Sequence, residues 1–333
     1  MEFYTWQSYR CAFEKVPGKA SAQLASAQST STQSAGTQSA PALLMVHPIG
    51  VGLSGEFWRP FIIRWQATNQ PVGAVYNVDL LGCGESDMPA RAYTPEDWAQ
   101  QLAYFIEHIA QEPVVLVVQG ALLPVAVRLM ETDAAKDIKG MVLSGPPAWR
   151  LMTTPTETWK QKLAWALFSS PLGNGFYRYA RREKFLASFS QRQLFEKPED
   201  VTDSWLAMLN AGSRNMNSRY AVFSFLAGFW RQDYAAAIAR IQQPVMIVMG
   251  NAASTIDRKT AQEVAKTVAK AGGQVTTAQP NPDSPAPAVQ KRLRDYLDHF
   301  PRAQGVSIPG RNVMPYETTD DFVRAIAPFI ASL

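Results

Sequence analysis

The sequence predicts an α/β protein with a mostly parallel central sheet flanked by helices and a helical insertion. Three observations lead there. Residues 113–130 pass from a continuous apolar run, Val114 to Val118, into a helix-spaced apolar face at Leu122, Leu123, Ala126, Leu129 and Met130, with Gly120 at the corner. Short apolar strand segments alternate with helical ones over residues 41–143 and resume after 244, the order of a parallel sheet covered on both faces. Between Ala148 and about Ile241 the strand signal disappears and aromatic, helix-forming sequence takes its place.

Phe3 to Val16 alternates aromatic and polar residues and predicts a strand or hairpin at the sheet edge. Residues 19–40, rich in Ala, Ser, Gln and Thr, have no apolar period and predict a disordered insertion. Pro41 to Val46 predicts a strand ending in His47-Pro48-Ile49-Gly50-Val51-Gly52, and Phe57, Trp58, Phe61 and Ile62 open a helix. Val72 to Val78 predicts the next strand, running into Asp79-Leu80-Leu81-Gly82-Cys83-Gly84-Glu85-Ser86-Asp87. Thr94 as N-cap, Pro95 at the first helical position and the early acids Glu96 and Asp97 predict a helix through His108. After the 113–130 unit, where Pro124 suits a first helical turn, a strand at Gly140 to Leu143 leads into Ser144-Gly145-Pro146-Pro147. Beyond the helical stretch we expect a strand at Pro244 to Met249, a helix over 258–271, a loop over 277–288 and a helix ending near His299. A last strand, Gly305 to Ile308, precedes the loop Pro309 to Glu317 and a closing helix from Asp320.

The corner Val118-Gln119-Gly120-Ala121-Leu122 resembles the nucleophile elbow of the α/β-hydrolase superfamily, whose G-x-S-x-G consensus puts serine on a sharp strand-to-helix turn. Glycine stands at the nucleophile position, and bulk at Val118 and Leu122 fits a corner with no side chain to clear. Taken alone, the stretch is equally compatible with an ordinary buried strand–turn–helix. The His47 loop is similar to the superfamily's His-Gly oxyanion loop, with Pro48 in the glycine's place, and Asp79 to Asp87 is similar to its D-x-x-G-x-G-x-S-D loop. The resemblance implies a core over 1–147 and 242–333, with a helical cap over 148–241. It also places the catalytic acid at Ala253, within Gly250-Asn251-Ala252-Ala253, and the histidine at Val313, within Asn312-Val313-Met314-Pro315-Tyr316-Glu317. Ser144 to Pro147, an alternative place for the acid, offers no carboxylate. Ser170-Pro171-Leu172-Gly173, Arg219-Tyr220-Ala221-Val222 and Gly228 to Tyr234 resemble α/β-hydrolase-like proteins of cyanobacteria and chloroplasts.

With Gly120, Ala253 and Val313 at the triad positions, the resemblance implies no standard serine-hydrolase activity. A divergent hydrolase or lyase would need His47 as base with Ser54 or Cys83 as nucleophile, since His108 and His299 fall late in surface helices. The half of the site that binds anions survives this comparison. Backbone N–H groups of Ala121 and Ile49, beside Gln119, would face a pocket able to hold a carbonyl or carboxylate head, with an apolar tail under the aromatic cap. The expected partner is such a small molecule or another protein. No metal-ligand spacing, Walker sequence or dinucleotide fingerprint occurs, so no cofactor is expected.

Composition sets outer limits. At 333 residues, 47% hydrophobic and 18% charged, the chain can bury one large core with an insertion. A net charge of +4 with one basic cluster, Arg178, Arg181, Arg182 and Lys184, is a poor nucleic-acid footprint and reads as a solvated helix face. Two cysteines, Cys11 and Cys83, do not make a disulfide framework, and the N-terminus has no signal-peptide pattern, so a cytoplasmic setting is expected. No apolar run spans a bilayer, leaving only peripheral membrane contact.

Overall fold

The computed structural model describes residues 1–18, 40–68, 73–253 and 286–333. The expected insertion at 19–40, apart from residue 40, and the expected helix at 258–271 lie outside them. Eight strands form one sheet: β1 Glu2–Trp6, β2 Tyr9–Val16, β3 Ala42–Val46, β4 Val75–Val78, β5 Val114–Gln119, β6 Ile138–Ser144, β7 Val245–Gly250 and β8 Ala303–Ile308. Their spatial order is β1-β2-β4-β3-β5-β6-β7-β8. β1 and β2 form the edge hairpin and β2 meets β4 antiparallel, whereas every pairing from β4 to β8 is parallel. β3 and β5 are buried on both faces, as all-apolar parallel strands require. Chain direction across the sheet reverses between β3's two neighbours, β4 and β5. Such a switch point leaves a crevice beyond the strands' carboxyl ends, where the loops after β3 and β5 emerge.

Helices α1 Arg59–Gln66, α2 Pro95–Phe105 and α3 Leu123–Leu129 cover the sheet within its first half. Thr94 and Asp97 close a reciprocal capping box on α2, and Pro124 occupies the first turn of α3, so both start signals are realised. Between β6 and β7 the described chain is helical: α4 Trp149–Thr153, α5 Thr158–Ser169, α6 Pro171–Ala180, α7 Glu183–Phe189, α8 Asp203–Gly212, α9 Arg219–Leu226 and α10 Ala235–Ala239. α11 Pro287–Leu297, α12 Met314–Glu317 and α13 Thr319–Ala331 complete the chain. The expected loop at 309–317 therefore ends in a short helix, which Pro315 supports from its first turn. Among the described residues no helix is long and apolar enough to cross a membrane.

The helical segment is joined to the loop after β3 by a close backbone approach. A Cβ on Gly52 would sit 2.0 Å from the Leu209 carbonyl oxygen, and one on Gly212 would sit 2.2 Å from the Gly52 carbonyl oxygen. Only glycine at both positions lets α8 and the loop touch through their main chains. Val51, immediately before Gly52 in the loop, packs against the separate small core of Tyr177, Val222 and Phe223.

Candidate functional site

The corner after β5 is left-handed. Gly120 has φ +61°, and a Cβ built there meets no heavy atom within 4 Å, so the residue faces open space. Val118 and Leu122 on either side are buried in the large core. The residues that follow, Gly120–Leu122, form one tight turn leading directly into α3, and the first N–H groups of such a helical run have no acceptor within it. The N–H of Ala121 belongs to that set.

Gln119, the last residue of β5, is almost fully buried and donates from Nε2 to the Asn312 carbonyl oxygen at 2.7 Å, while its Oε1 has no partner among the described residues. One of its two amide donors is therefore engaged by the loop after β8. That same bond places the neighbourhood of Val313 beside the corner. Val313 and Met314 are buried in the second large core, and Tyr316 lies edge-on to Trp205 at 4.7 Å. Two carboxylates fasten the loop: Glu196 accepts from the Gly310 N–H at 2.9 Å and Glu317 from the Arg311 N–H at 2.8 Å. Ala253, after β7, is buried in the first core. The three positions compared with a triad thus carry a glycine facing open space and two buried apolar side chains.

The ring of His47 is fully buried. The Leu80 N–H donates to Nε2 at 3.2 Å, and a backbone N–H can only donate, so Nδ1 carries the proton and gives it to the Pro48 carbonyl oxygen at 2.7 Å. Burial pushes the imidazole below its ordinary pKa against the pull of Asp79. Asp79 is itself buried: its Oδ1 accepts the Gly55 N–H and its Oδ2 the Glu85 N–H, each at 2.8 Å, and burial raises its carboxyl. A Cβ on Gly84 would fall 2.0 Å from Asp79 Oδ2, which explains the glycine there. The pair therefore ties the loop after β3 to the loop after β4.

His47, Ser54 and Cys83, the residues of the alternative reading, each have other surroundings to answer to. Both nitrogens of His47 are engaged by backbone, Ser54 Oγ caps the turn at Glu56 N, and Cys83 is buried with its thiol pushed far above the ordinary range by desolvation. His108 and His299 lie on the surface, as expected, stacked on Tyr104 and Trp149.

One residue escaped the sequence reading. Arg292 on α11 is buried; its Nη2 donates to the carbonyl oxygens of Gly145, at 3.4 Å, and Pro146, while Nε has no partner among the described residues. Burial lowers its pKa. With the Tyr296 hydroxyl on the Pro147 carbonyl at 2.7 Å, it pins the turn after β6. The available signal was a cation on the stripe Val289, Arg292, Tyr296, which a solvated helix would keep apolar.

Two surface concavities, of about 460 and 340 Å³, lie elsewhere: the first between α3 and the β7 approach near Arg240, the second between β2 and α1. Neither is lined by Gly120, Ala121 or Ile49. Among the described residues no three His, Cys, Asp or Glu side chains are grouped to hold a metal ion.

The sequence pattern of the Alpha/beta hydrolase family matches residues 43–325. Solved structures similar to this chain include a thermophilic esterase from Thermogutta terrifontis, 16% identical, covering 97% of this chain and 94% of its own, with TM-score 0.63. An esterase from Exiguobacterium antarcticum is 12% identical, covers 99% and 98%, and has TM-score 0.65. The enol-lactonase from Burkholderia xenovorans LB400, also 12% identical, covers 99% and 100% with TM-score 0.65. At these identities the likeness is one of fold. No curated protein matches the sequence.

Proposed function

Because the chain belongs to the Alpha/beta hydrolase family, we propose that it is a member that binds where others cleave, with Gly120, Ala253 and Val313 standing at the places of nucleophile, acid and base. In this reading residues 1–147 and 242–333 form the core, and 148–241 form a cap over the carboxyl ends of its strands. The single observation that carries it is Gly120: the corner keeps the left-handed turn that exposes a nucleophile, yet presents no side chain to the open space before it. Such a corner retains backbone donors and lacks anything to form an acyl intermediate. Its ligand is a small molecule with a carbonyl or carboxylate head and an apolar tail, the head received by the Ala121 and Ile49 N–H groups.

The test pairs turnover with binding. Purified protein should release no nitrophenol from nitrophenyl butyrate or octanoate above buffer, while octanoate should raise its melting temperature in a concentration-dependent way. Turnover that survives in the parent and disappears in Cys83→Ala or Ser54→Ala, each checked for folding, would establish a rebuilt active site and overturn this reading. Absence of any thermal shift with octanoate would remove the pocket ligand.

A further inference from the structure

Independently of that pocket, we propose that the outer face of α5, α6 and α7 docks on an anionic lipid surface. α5 is rich in Trp, Leu and Ala, yet none of its 12 residues is buried. At 100° per residue Trp159, Leu163, Ala166 and Leu167 share one side of the helix, with Lys160 and Lys162 on its two margins. Trp159, Leu163 and Leu167 are 60%, 64% and 53% exposed. The face continues across the Ser169-Ser170 link into α6, where Leu172 is 74% exposed and Phe176 and Tyr179 also face solvent. Gly173 lets the two helices meet, since a Cβ there would lie 1.8 Å from the Phe168 carbonyl oxygen. Tyr179 then contacts Phe185 at 5.3 Å, and Phe185 stacks on the exposed Phe189 at 6.3 Å, extending the apolar surface along α7.

The charge around this face, where Glu157 pairs with Lys160 at 2.6 Å and accepts the Trp159 indole N–H, identifies what covers it. Residues 158–193 hold seven Lys and Arg against one acid, Glu183, a net +6 in a chain whose total is +4. Arg178, Arg182, Lys184 and both lysines of α5 are exposed. A second copy meeting this face by two-fold symmetry would set one basic surface against another. An anionic bilayer instead takes exposed Trp, Tyr and Leu into its interface while long basic stems lie over the apolar surface and reach the headgroups. The ring of Tyr179 already lies under the Arg182 guanidinium at 5.8 Å. An acidic protein would satisfy the charge, but it has no need of a row of protruding Leu and Trp side chains.

Flotation of the full chain with vesicles tests the assignment. Vesicles of phosphatidylcholine and phosphatidylglycerol, 7:3, should carry the protein upward in low salt. Pure phosphatidylcholine should not, and 0.5 M NaCl should release it. Two variants address the two components: Leu163→Glu with Leu172→Glu, and Lys160→Glu with Arg182→Glu and Lys184→Glu. Each should lower partitioning at least about tenfold with an unchanged melting curve, because every altered side chain is exposed. No flotation with the anionic vesicles, equal flotation with neutral ones, or variants that float like the parent would each overturn the proposal. A dimer in light scattering that Leu163→Glu with Leu172→Glu dissolves, without vesicle binding, would assign the face to a second copy. Stable capture of a polyglutamate-rich protein in preference to vesicles would assign it to an acidic partner.

Discussion

Replacing Gly212 by alanine sets two physical effects against each other with opposite signs. Gly212 ends α8 with ordinary helical backbone, and alanine there should favour the helix by up to about 1 kcal/mol through propensity alone. The new methyl would stand 2.2 Å from the Gly52 carbonyl oxygen, whereas ordinary contact begins near 3.4 Å, so loop and helix must separate by about 1.2 Å. Both sides of the contact are main chain and cannot step aside by changing rotamer. Overpacking of this kind costs about 1–3 kcal/mol, and Gly52, held at φ +78°, has little freedom to relax. The net effect is therefore destabilising, and for a chain of this size each kcal/mol moves the melting temperature by about 2 °C. With both sides fixed main chain the cost lies in the upper half of that range, about 1–2 kcal/mol after the helix gain is deducted, and differential scanning fluorimetry of Gly212→Ala should show a fall of about 2–4 °C. A rise, or no change, would mean that the helix and the β3 loop do not touch through their backbones, and the account of how the helical segment is anchored would fail.

Other consequences are equally direct. Gly120→Ser should fold, because its side chain enters open space, but it should lose about 1–2 kcal/mol to the left-handed backbone and hydrolyse nitrophenyl esters no faster than the parent; a large gain would reveal a base within reach. His47 makes acid destabilising: the folded ring is held neutral while the unfolded one takes a proton near pH 6.5, so unfolding binds a proton and stability falls below that pH. Asp79, whose carboxyl burial raises, pulls the other way and is itself held down by His47. Relative to His47→Gln, the parent should lose stability in urea titrations as the pH falls through 6.5, with a slope of at most about 1.4 kcal/mol per pH unit, and parallel curves would contradict the neutral ring. Both thiols are buried, with Cys11 pushed up to about 12 and Cys83 higher still, so neither should react with Ellman's reagent at pH 8 until the chain is unfolded. Rapid native labelling of Cys83 would reopen it as a nucleophile.

Much of the fold could be read in advance because its signals are local. The run Val114 to Val118 has no polar residue to face water, so it declares a strand buried on both sides. Thr94-Pro95-Glu96-Asp97 declares a helix start that the capping box then forms. Gly84 and Asp79 were legible as a loop pattern, and the 2.0 Å approach supplies its cause. The candidate site was less legible because its chemistry depends on which atoms already have partners. His47 reads as an available base until the Leu80 N–H is seen on Nε2, a contact 33 residues away that no periodicity encodes. Nothing in the pattern around Gln119 announces that its amide bonds the Asn312 carbonyl, 193 residues downstream. Arg292 looked like one more surface cation on a helix, and only the turn it pins explains why it is buried.

The face built from α5 to α7 also changes the meaning of the chain's alkaline isoelectric point of about 9.0. With +6 confined to residues 158–193, everything else sums to −2, so the molecule is an electric dipole whose positive pole is also its greasiest region. A charged boundary would exert a torque on it before contact and present that pole first. Approach and orientation would then be one event, and the rest of the molecule would be left facing the solution.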